Sequence, residues 1–296
     1  MKGHKINFAV FLAARDGMPW LKSQIKSILK QENVSVKIFI NVDLSRDGTN
    51  LYCKQLSYKY KNIKVFFSKK LFGSPSKNFF WMFKNINFTK FDYIALSDQD
   101  DVWMQKKLFY SYKSIIKNDC DAYSSNLLSF SRKKKKIIKK DHPLRKYDYL
   151  FESAGAGCTY VLTNYGATKF KDFLCKHWVK VNKLKNYDWF IYSFFRFNKL
   201  KWFFDKKITI YYRQHEKNFM GANNNYSSFV KRFRMIINGW YRKEVEKNFL
   251  ILNLINPKKK ILNLHSRLSL IKNFNHLRRK SFDRLFLLIC FIFYIY

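Results

Sequence analysis

Ser97-Asp98-Gln99-Asp100-Asp101-Val102-Trp103 sets three carboxylates within four residues, directly after the apolar run Tyr93-Ile94-Ala95-Leu96. The chain has only 20 acidic residues against 58 basic ones, so this cluster stands out. Acids at the end of a strand can seat a hard divalent cation. Mg²⁺ and Mn²⁺ take oxygen ligands, and Mg²⁺ is commonly held by one or two carboxylates together with substrate phosphates. The competing reading is a solvated acidic turn that caps the next helix. A further acid, Asp188, stands between Asn186-Tyr187 and Trp189 at the start of an apolar helical pattern. Its residue type suits a general base, and equally a helix N-terminal Asp favoured by the dipole. The chain offers no Ser/His/Asp or Cys/His arrangement for nucleophilic catalysis.

These residues need elements to position them, and the first hundred residues alternate. Strands are expected at 6–14, 34–42, 63–67 and 91–96. Helices are expected at 19–30, 49–60, 76–86 and 103–117, the first with Pro19 in its opening turn. That β-α repetition predicts a parallel α/β sheet, in which ligands bind at the carboxyl ends of strands. The acidic cluster and the turn Asp43–Thr49 both fall at such ends. Beyond residue 120 the alternation fails. A strand is expected at 121–130, a solvated charge run in a hairpin at 132–140, and helices at 164–175 and 186–197. Short strands follow at 201–204 and 208–213, and from Tyr226 to Phe249 a helical apolar stripe carries its bases off the stripe.

At 296 residues the chain can bury a substantial core, and 47% hydrophobic with 19% aromatic content indicates a folded protein. The net charge is +38. It is spread over the chain, +18 in residues 1–150 (30 bases, 12 acids) and +20 in 151–296 (28 bases, 8 acids). Lys, Asn, Ile, Phe and Tyr are abundant and Gly and Pro scarce, so biased codon composition is the first explanation and a membrane surface the second. No nucleic-acid module is visible, and nucleic acid is not expected as a partner. The five cysteines are widely spaced without a C-x-x-C, which suggests neither a zinc site nor a disulfide framework. The N-terminus lacks the apolar region of a secretory signal. The longest apolar run, Leu285–Tyr296, has 12 residues and is too short to span a bilayer.

Taken in order, these signals resemble an inverting family 2 glycosyltransferase with the GT-A fold, over roughly residues 6–225. The flavour is the bacterial rhamnosyltransferase-like group acting on surface polysaccharide. The opening turn Ala14-Arg15-Asp16-Gly17 leads into Gln24-Ile25-Lys26-Ser27-Ile28-Leu29. The second strand ends in Val42-Asp43-Leu44-Ser45-Arg46-Asp47-Gly48-Thr49. Gly73-Ser74-Pro75-Ser76-Lys77-Asn78-Phe79 and the Asp-Gln-Asp-Asp-Val-Trp segment follow. Gly157-Cys158-Thr159, Asp188-Trp189 and Tyr212-Arg213-Gln214-His215 complete the series. Each motif alone is weak; together and in order they are specific for the family and much less so for the sugar. Three positions depart from the group's habit. Val42 precedes Asp43 where many members pair two acids, Arg15-Asp16-Gly17 replaces Tyr-Asn-Gly, and Tyr187 stands where His or Glu often precedes the later Asp.

The resemblance implies a GT-A catalytic domain at 1–225, divided into a nucleotide-sugar half (1–120) and an acceptor half (121–225). A basic helical extension follows at 226–296. It implies Ala14, Arg15, Asp43, Asp98 and Arg213 on the donor, with Asp98 at the ribose, Asp43 accepting from a uracil or thymine N3–H, and Arg213 balancing diphosphate charge. Asp100, Asp101 and His215 would hold Mg²⁺ or Mn²⁺, imidazole favouring the latter. Asp188 becomes the base that deprotonates the acceptor hydroxyl, and Gly157, Cys158 and Trp189 line the acceptor side. Cys158 is expected as small packing, and the segment Ala154–Gly157 as either an acceptor wall or a tight turn.

Expected partners are a nucleotide-sugar donor such as dTDP-rhamnose or a UDP-hexose, and a lipid-linked glycan of O-antigen or capsule assembly. Residues 226–296 carry 15 bases and 3 acids. They would place the enzyme on the anionic inner face of the cell membrane, in the cytoplasm; the alternatives are packing on the catalytic domain or homodimerisation through the C-terminal helices. The rival reading is a non-catalytic basic protein, binding membrane or nucleic acid on a degenerate transferase scaffold. A sugar-1-phosphate nucleotidyltransferase would want a Gly-rich basic loop after the first strand, which Ala13–Gly17 does not supply.

Overall fold

The computed structural model describes residues 5–131, 134–215, 226–257 and 261–296, with backbone alone for 226–229 and 231–232. Arg132 and Lys133 of the charge run, and the side chains of Phe229, Lys231 and Arg232 in the C-terminal stripe, lie outside the described residues. The first half runs β1 (Asn7–Ala14), α1 (Met18–Leu29), β2 (Ser35–Val42), α2 (Thr49–Lys59), β3 (Ile63–Phe67), α3 (Pro75–Asn85), β4 (Tyr93–Ser97), β5 (Val102–Trp103) and α4 (Lys107–Lys117). The second continues with β6 (Ala122–Ser125), β7 (Leu127–Phe130), β8 (Lys135–Ile138), α5 (Asp148–Phe151), β9 (Val161–Thr163), α6 (Asn164–Lys176), α7 (Trp178–Val181), α8 (Tyr187–Phe197), β10 (Trp202–Asp205) and β11 (Ile210–Arg213). The helices α9 (Tyr226–Ile237), α10 (Trp240–Leu252), α11 (Arg267–Lys272) and α12 (Ser281–Ile292) close the chain.

A seven-stranded sheet has the order β10-β6-β9-β4-β1-β2-β3, parallel except for β9. Leu12 pairs with Ser97, and Ala14 with Val42, so β1, β2 and β4 end side by side. Both faces of this sheet are covered, as a parallel sheet requires. Along β1, Phe8, Val10, Leu12 and Ala14 face α1, α2 and α4, while Ala9 and Phe11 face α3 and α8. A smaller sheet, β5-β11-β7-β8, lies over the strand ends.

Two expected boundaries shift. The helix expected from Trp103 begins at Lys107, because Val102 and Trp103 instead pair antiparallel with Tyr211 and Ile210. The strand expected over 121–130 divides, β6 joining the large sheet and β7 the small one. The described part of the charge run centres on the hairpin strand β8, where Lys135, Lys136 and Ile137 are exposed, in line with its solvated reading. The C-terminal stripe forms two helices broken at Asn238-Gly239.

Residues 226–296 are not a loose appendage. Tyr241, Val245, Leu252, Leu277, Leu287 and Phe291 enter the same core as α3, α6 and α8. Tyr241 stacks on Trp189, and its hydroxyl donates to Phe151 O. Arg279, 3% exposed, donates to Lys140 O (3.1 Å), Ser153 O (2.7 Å) and Glu152 Oε1 (3.3 Å). Burial works to raise Glu152, but Arg278 and Arg279 outweigh it and hold the carboxyl below its usual range. Removing one partner of such a buried pair strands the other charge. Arg279→Met is expected to lower the unfolding free energy by about 3–5 kcal/mol in urea; a loss below about 1 kcal/mol contradicts this role for the pair.

Candidate functional site

The loops after β1, β2 and β4 are laced together by side chains. Gln99, inside the acidic segment, grips one residue of the opening turn: Arg15 N donates to its Oε1 (2.7 Å), and its Nε2 donates to Arg15 O (2.8 Å). Gly17 makes room for this clamp, since a Cβ there would lie 2.4 Å from Gln99 Oε1. Arg46 N donates to Asp16 Oδ1 (2.7 Å), Gly17 N to Thr49 Oγ1 (2.9 Å) and Met18 N to Asp47 Oδ2 (2.9 Å). Between the loops after β1, β2 and β3 opens a cleft of ≈ 340 Å³ lined by Arg15, Asp16, Leu44, Ser45, Arg46 and Leu71.

Of the expected donor residues, Arg15 lines this cleft. Ala14 is buried at the end of β1, and its carbonyl accepts from Asp43 N. Asp43 is buried too. Its oxygens accept from the backbone N–H groups of Leu44 (2.9 Å), Phe72 (2.9 Å) and Gly73 (3.0 Å). Asp43 thus fixes the wall of the cleft by folding residues 72–73 against the strand end.

Asp98, partly exposed, opens the acidic segment. Tyr187 Oη donates to Asp98 Oδ1 at 3.3 Å, so the residue standing where the group often has His or Glu reaches across to the acidic segment. Its ring stacks on Phe79 at 4.2 Å and lies against Gly157, where a Cβ would approach its hydroxyl to 2.3 Å. Any larger residue at 157 would displace Tyr187 from Asp98. The next residue, Asp188, stands in the first turn of α8, partly exposed, with one oxygen accepting Trp189 N (2.8 Å). Burial pushes Asp188 up to about 6. Burial, then Asp100 and Asp188, push Asp98 up to about 7. The extension braces this corner, because Asn186 Nδ2 donates to the buried Glu244 Oε2 (3.2 Å).

The three expected metal ligands fall into two groups. Asp100 Oδ2 lies 2.9 Å from His215 Nε2, and the imidazole stacks on Trp20 at 3.8 Å. Arg213 Nε donates to Asp100 O (3.0 Å), with its guanidinium 4.8 Å over the Phe130 ring. Asp101 turns inward. It is fully buried and accepts Arg213 N at 3.3 Å; among the described residues Oδ2 has no well-aligned hydrogen-bond donor, with the Cys158 thiol beside the carboxylate. Oxygens of Asp98 and Asp101 and the Cys158 sulfur all lie within 4.8 Å of one another. Behind them sits Lys107, fully buried and 3.9 Å over the Trp103 ring. Burial pulls its ammonium down to about 7 against the opposite pull of Cys158 and Asp101. Carboxylates with one imidazole, and one carboxylate oxygen without a well-aligned donor among the described residues, fit a divalent cation of the Mg²⁺ or Mn²⁺ kind.

Among the residues expected to line the acceptor side, burial, then Asp101 and Asp98, hold the Cys158 thiol well above its usual value. It stays protonated, which agrees with packing and not nucleophilic attack. Trp189 is 6% exposed, and its indole N–H donates to Tyr149 O (3.0 Å). It anchors α8 and offers the cleft no free face. The sequence assigns no site role to Gln99, Lys107 or Trp20, and marks Tyr187 only as a departure from the group's habit. Gln99 and Lys107 lay in or beside the acidic segment, but only their contacts with residues far along the chain or buried beneath it give them a role.

Residues 4–134 match the family described as Glycosyltransferase like family 2. The chain is 35% identical over 288 residues to the dTDP-rhamnosyl transferase RfbG of Shigella flexneri, covering 95% of this chain and 99% of that one. Its fold is similar to S. aureus TarS 1–349 in complex with UDP-GlcNAc, with 13% identity, a TM-score of 0.54, and coverage of 96% of this chain and 84% of that one. It is also similar to the mannosyltransferase PcManGT from Pyrobaculum calidifontis in complex with GDP-Man and Mn²⁺, with 9% identity, a TM-score of 0.53, and coverage of 99% and 86%.

Proposed function

The chain belongs to the family 2 glycosyltransferases, with the GT-A fold, and from that premise we propose that it is an inverting, metal-dependent rhamnosyltransferase. Its donor is dTDP-rhamnose, by likeness to the dTDP-rhamnosyl transferase with which it aligns almost end to end. Its acceptor is a lipid-linked glycan of O-antigen or capsule assembly, met on the cytoplasmic side of the membrane. The observation that carries the reading is the dipeptide Tyr187-Asp188, which ties Asp98 on the donor side to a raised, accessible carboxylate on the acceptor side.

In this account the nucleotide base enters the cleft beside Arg15 and Leu71, and Asp98 faces the ribose. Asp100 and His215, with the oxygens of Asp98 and Asp101 close by, would hold the cation. When bound, the cation supplies Lewis-acid stabilisation of the leaving diphosphate. Arg213, held against Asp100 O, adds positive charge on the same side. Asp188 accepts the acceptor hydroxyl proton as that oxygen bonds to the anomeric carbon and the bond to the diphosphate breaks. A carboxylate lifted to about 6 is a stronger base than an ordinary Asp and is still ionised at neutral pH. One displacement needs no enzyme nucleophile, in keeping with the protonated Cys158.

A donor screen tests the reading. Purified protein with Mn²⁺ and a lipid-linked acceptor extract is expected to release dTDP from dTDP-rhamnose, dependent on acceptor and lost on chelation. Release of UDP from a UDP-hexose instead would move the donor assignment. No release from any nucleotide sugar, with salt-sensitive nucleic-acid binding, would favour the non-catalytic rival.

A further inference from the structure

We propose that the outer face of α12 docks in the plane of an anionic lipid bilayer. The helix is two-faced in an unusual sense. Leu287, Cys290 and Phe291 are buried in the core, while Phe282, Leu285, Ile289, Ile292 and Phe293 are 57, 54, 43, 44 and 67% exposed. At helical pitch these exposed residues form one stripe about 100° wide. On α11, which packs against α12, Leu268 is 69% exposed.

Basic and aromatic groups rim the stripe. Exposed Lys280 has its Nζ 5.9 Å over the Phe282 ring, and the Arg267 guanidinium lies 3.6 Å over the exposed Tyr294 ring at the end of the helix. Asp283, the acid on α12, is tied to Arg278 at 3.1 Å. No helix among the described residues is long and apolar enough to cross a membrane. A short helix with an apolar face and a cationic rim suits the interface, where its apolar side enters the headgroup boundary and Lys and Arg meet anionic lipid.

Charge decides between the two occupants. A second copy would bring another chain of net charge +38 against a basic rim. The stripe also falls far short of the roughly 20–30 residues a side of a stable protein interface. An anionic bilayer gains from both features. Through Phe291, Tyr296, Tyr241 and Trp189 the helix is in ring-to-ring contact with α8, whose first turn holds Asp188. The inference rests on the transferase reading only for its purpose, delivery of a lipid-linked acceptor.

The test therefore uses neither donor nor acceptor. The full chain is sedimented with phosphatidylcholine vesicles with and without phosphatidylglycerol. Wild type is expected to partition onto the anionic vesicles in a salt-sensitive way. The double variant Leu285→Asp/Ile289→Asp is expected to partition at least about tenfold more weakly. Its melting temperature should be unchanged, since both side chains are already exposed. Equal partition of variant and wild type overturns the proposal. So does no binding of wild type to anionic vesicles, or a wild-type dimer that the variant dissociates. Deleting 285–296 is a poor substitute, because it would also remove core residues.

Discussion

Asp188→Asn is expected to lower turnover by about 10²–10⁴-fold, or roughly 3–5 kcal/mol of barrier, while leaving dTDP-rhamnose affinity within about twofold of wild type. The amide keeps the size of the side chain and can still accept Trp189 N–H, so α8 begins as before. What it cannot do is take up a proton. The same group fixes the acid limb of the wild-type profile. Asp188 works as the carboxylate, so kcat/KM should fall as pH drops through about 6, not near the ordinary Asp value of 3.8. Isothermal titration with donor and steady-state rates from pH 5 to 8 check both halves. Full activity of the Asn variant, or an acid limb near 4, would remove Asp188 from the base role.

Asp100→Ala should be comparably damaging for a different reason. It removes the carboxylate facing His215 and keeps the backbone carbonyl that accepts from Arg213 Nε, so the loss is confined to the side-chain ligand. Loss of an outer-shell partner typically costs 10–100-fold in metal affinity, so loss of a direct ligand should exceed that. Transfer is expected to fall at least about a thousandfold, as loss of several kcal/mol of Lewis-acid stabilisation implies. Mn²⁺ binding, followed by electron paramagnetic resonance without donor, should weaken by about a hundredfold or more. Unchanged Mn²⁺ binding would take Asp100 out of the ligand set. Transfer unaffected by a chelator would take the metal out of the account.

The contrast between Asp100 and Asp101 shows where sequence reading stops. Both follow the same strand, and nothing local separates them. Asp101 turns inward because β5 must pair with β11, more than a hundred residues later, and because Lys107 and Cys158 wait beneath it. Non-local pairing also delayed the start of α4, against its local helical pattern. By contrast β1 to β4 and their helices were legible, since each is a periodic run bounded by its own turn. Asp43 was placed at the right strand end, but its capture by Phe72 N and Gly73 N depends on a loop thirty residues away. Tyr187 was legible as a departure from the group's habit; its reach to Asp98 required Gly157 and Phe79 in place. The C-terminal stripe announced an amphipathic segment, and only the fold shows that its apolar side enters the core while α12 leaves a second apolar stripe outside.

Single displacement with Asp188 as the base is most directly tested by the stereochemistry of the product. The anomeric configuration of the transferred rhamnose, read from the one-bond carbon–proton coupling by NMR, should be opposite to that of the sugar in dTDP-rhamnose. Retention of configuration would require a different path through this site and would contradict the account.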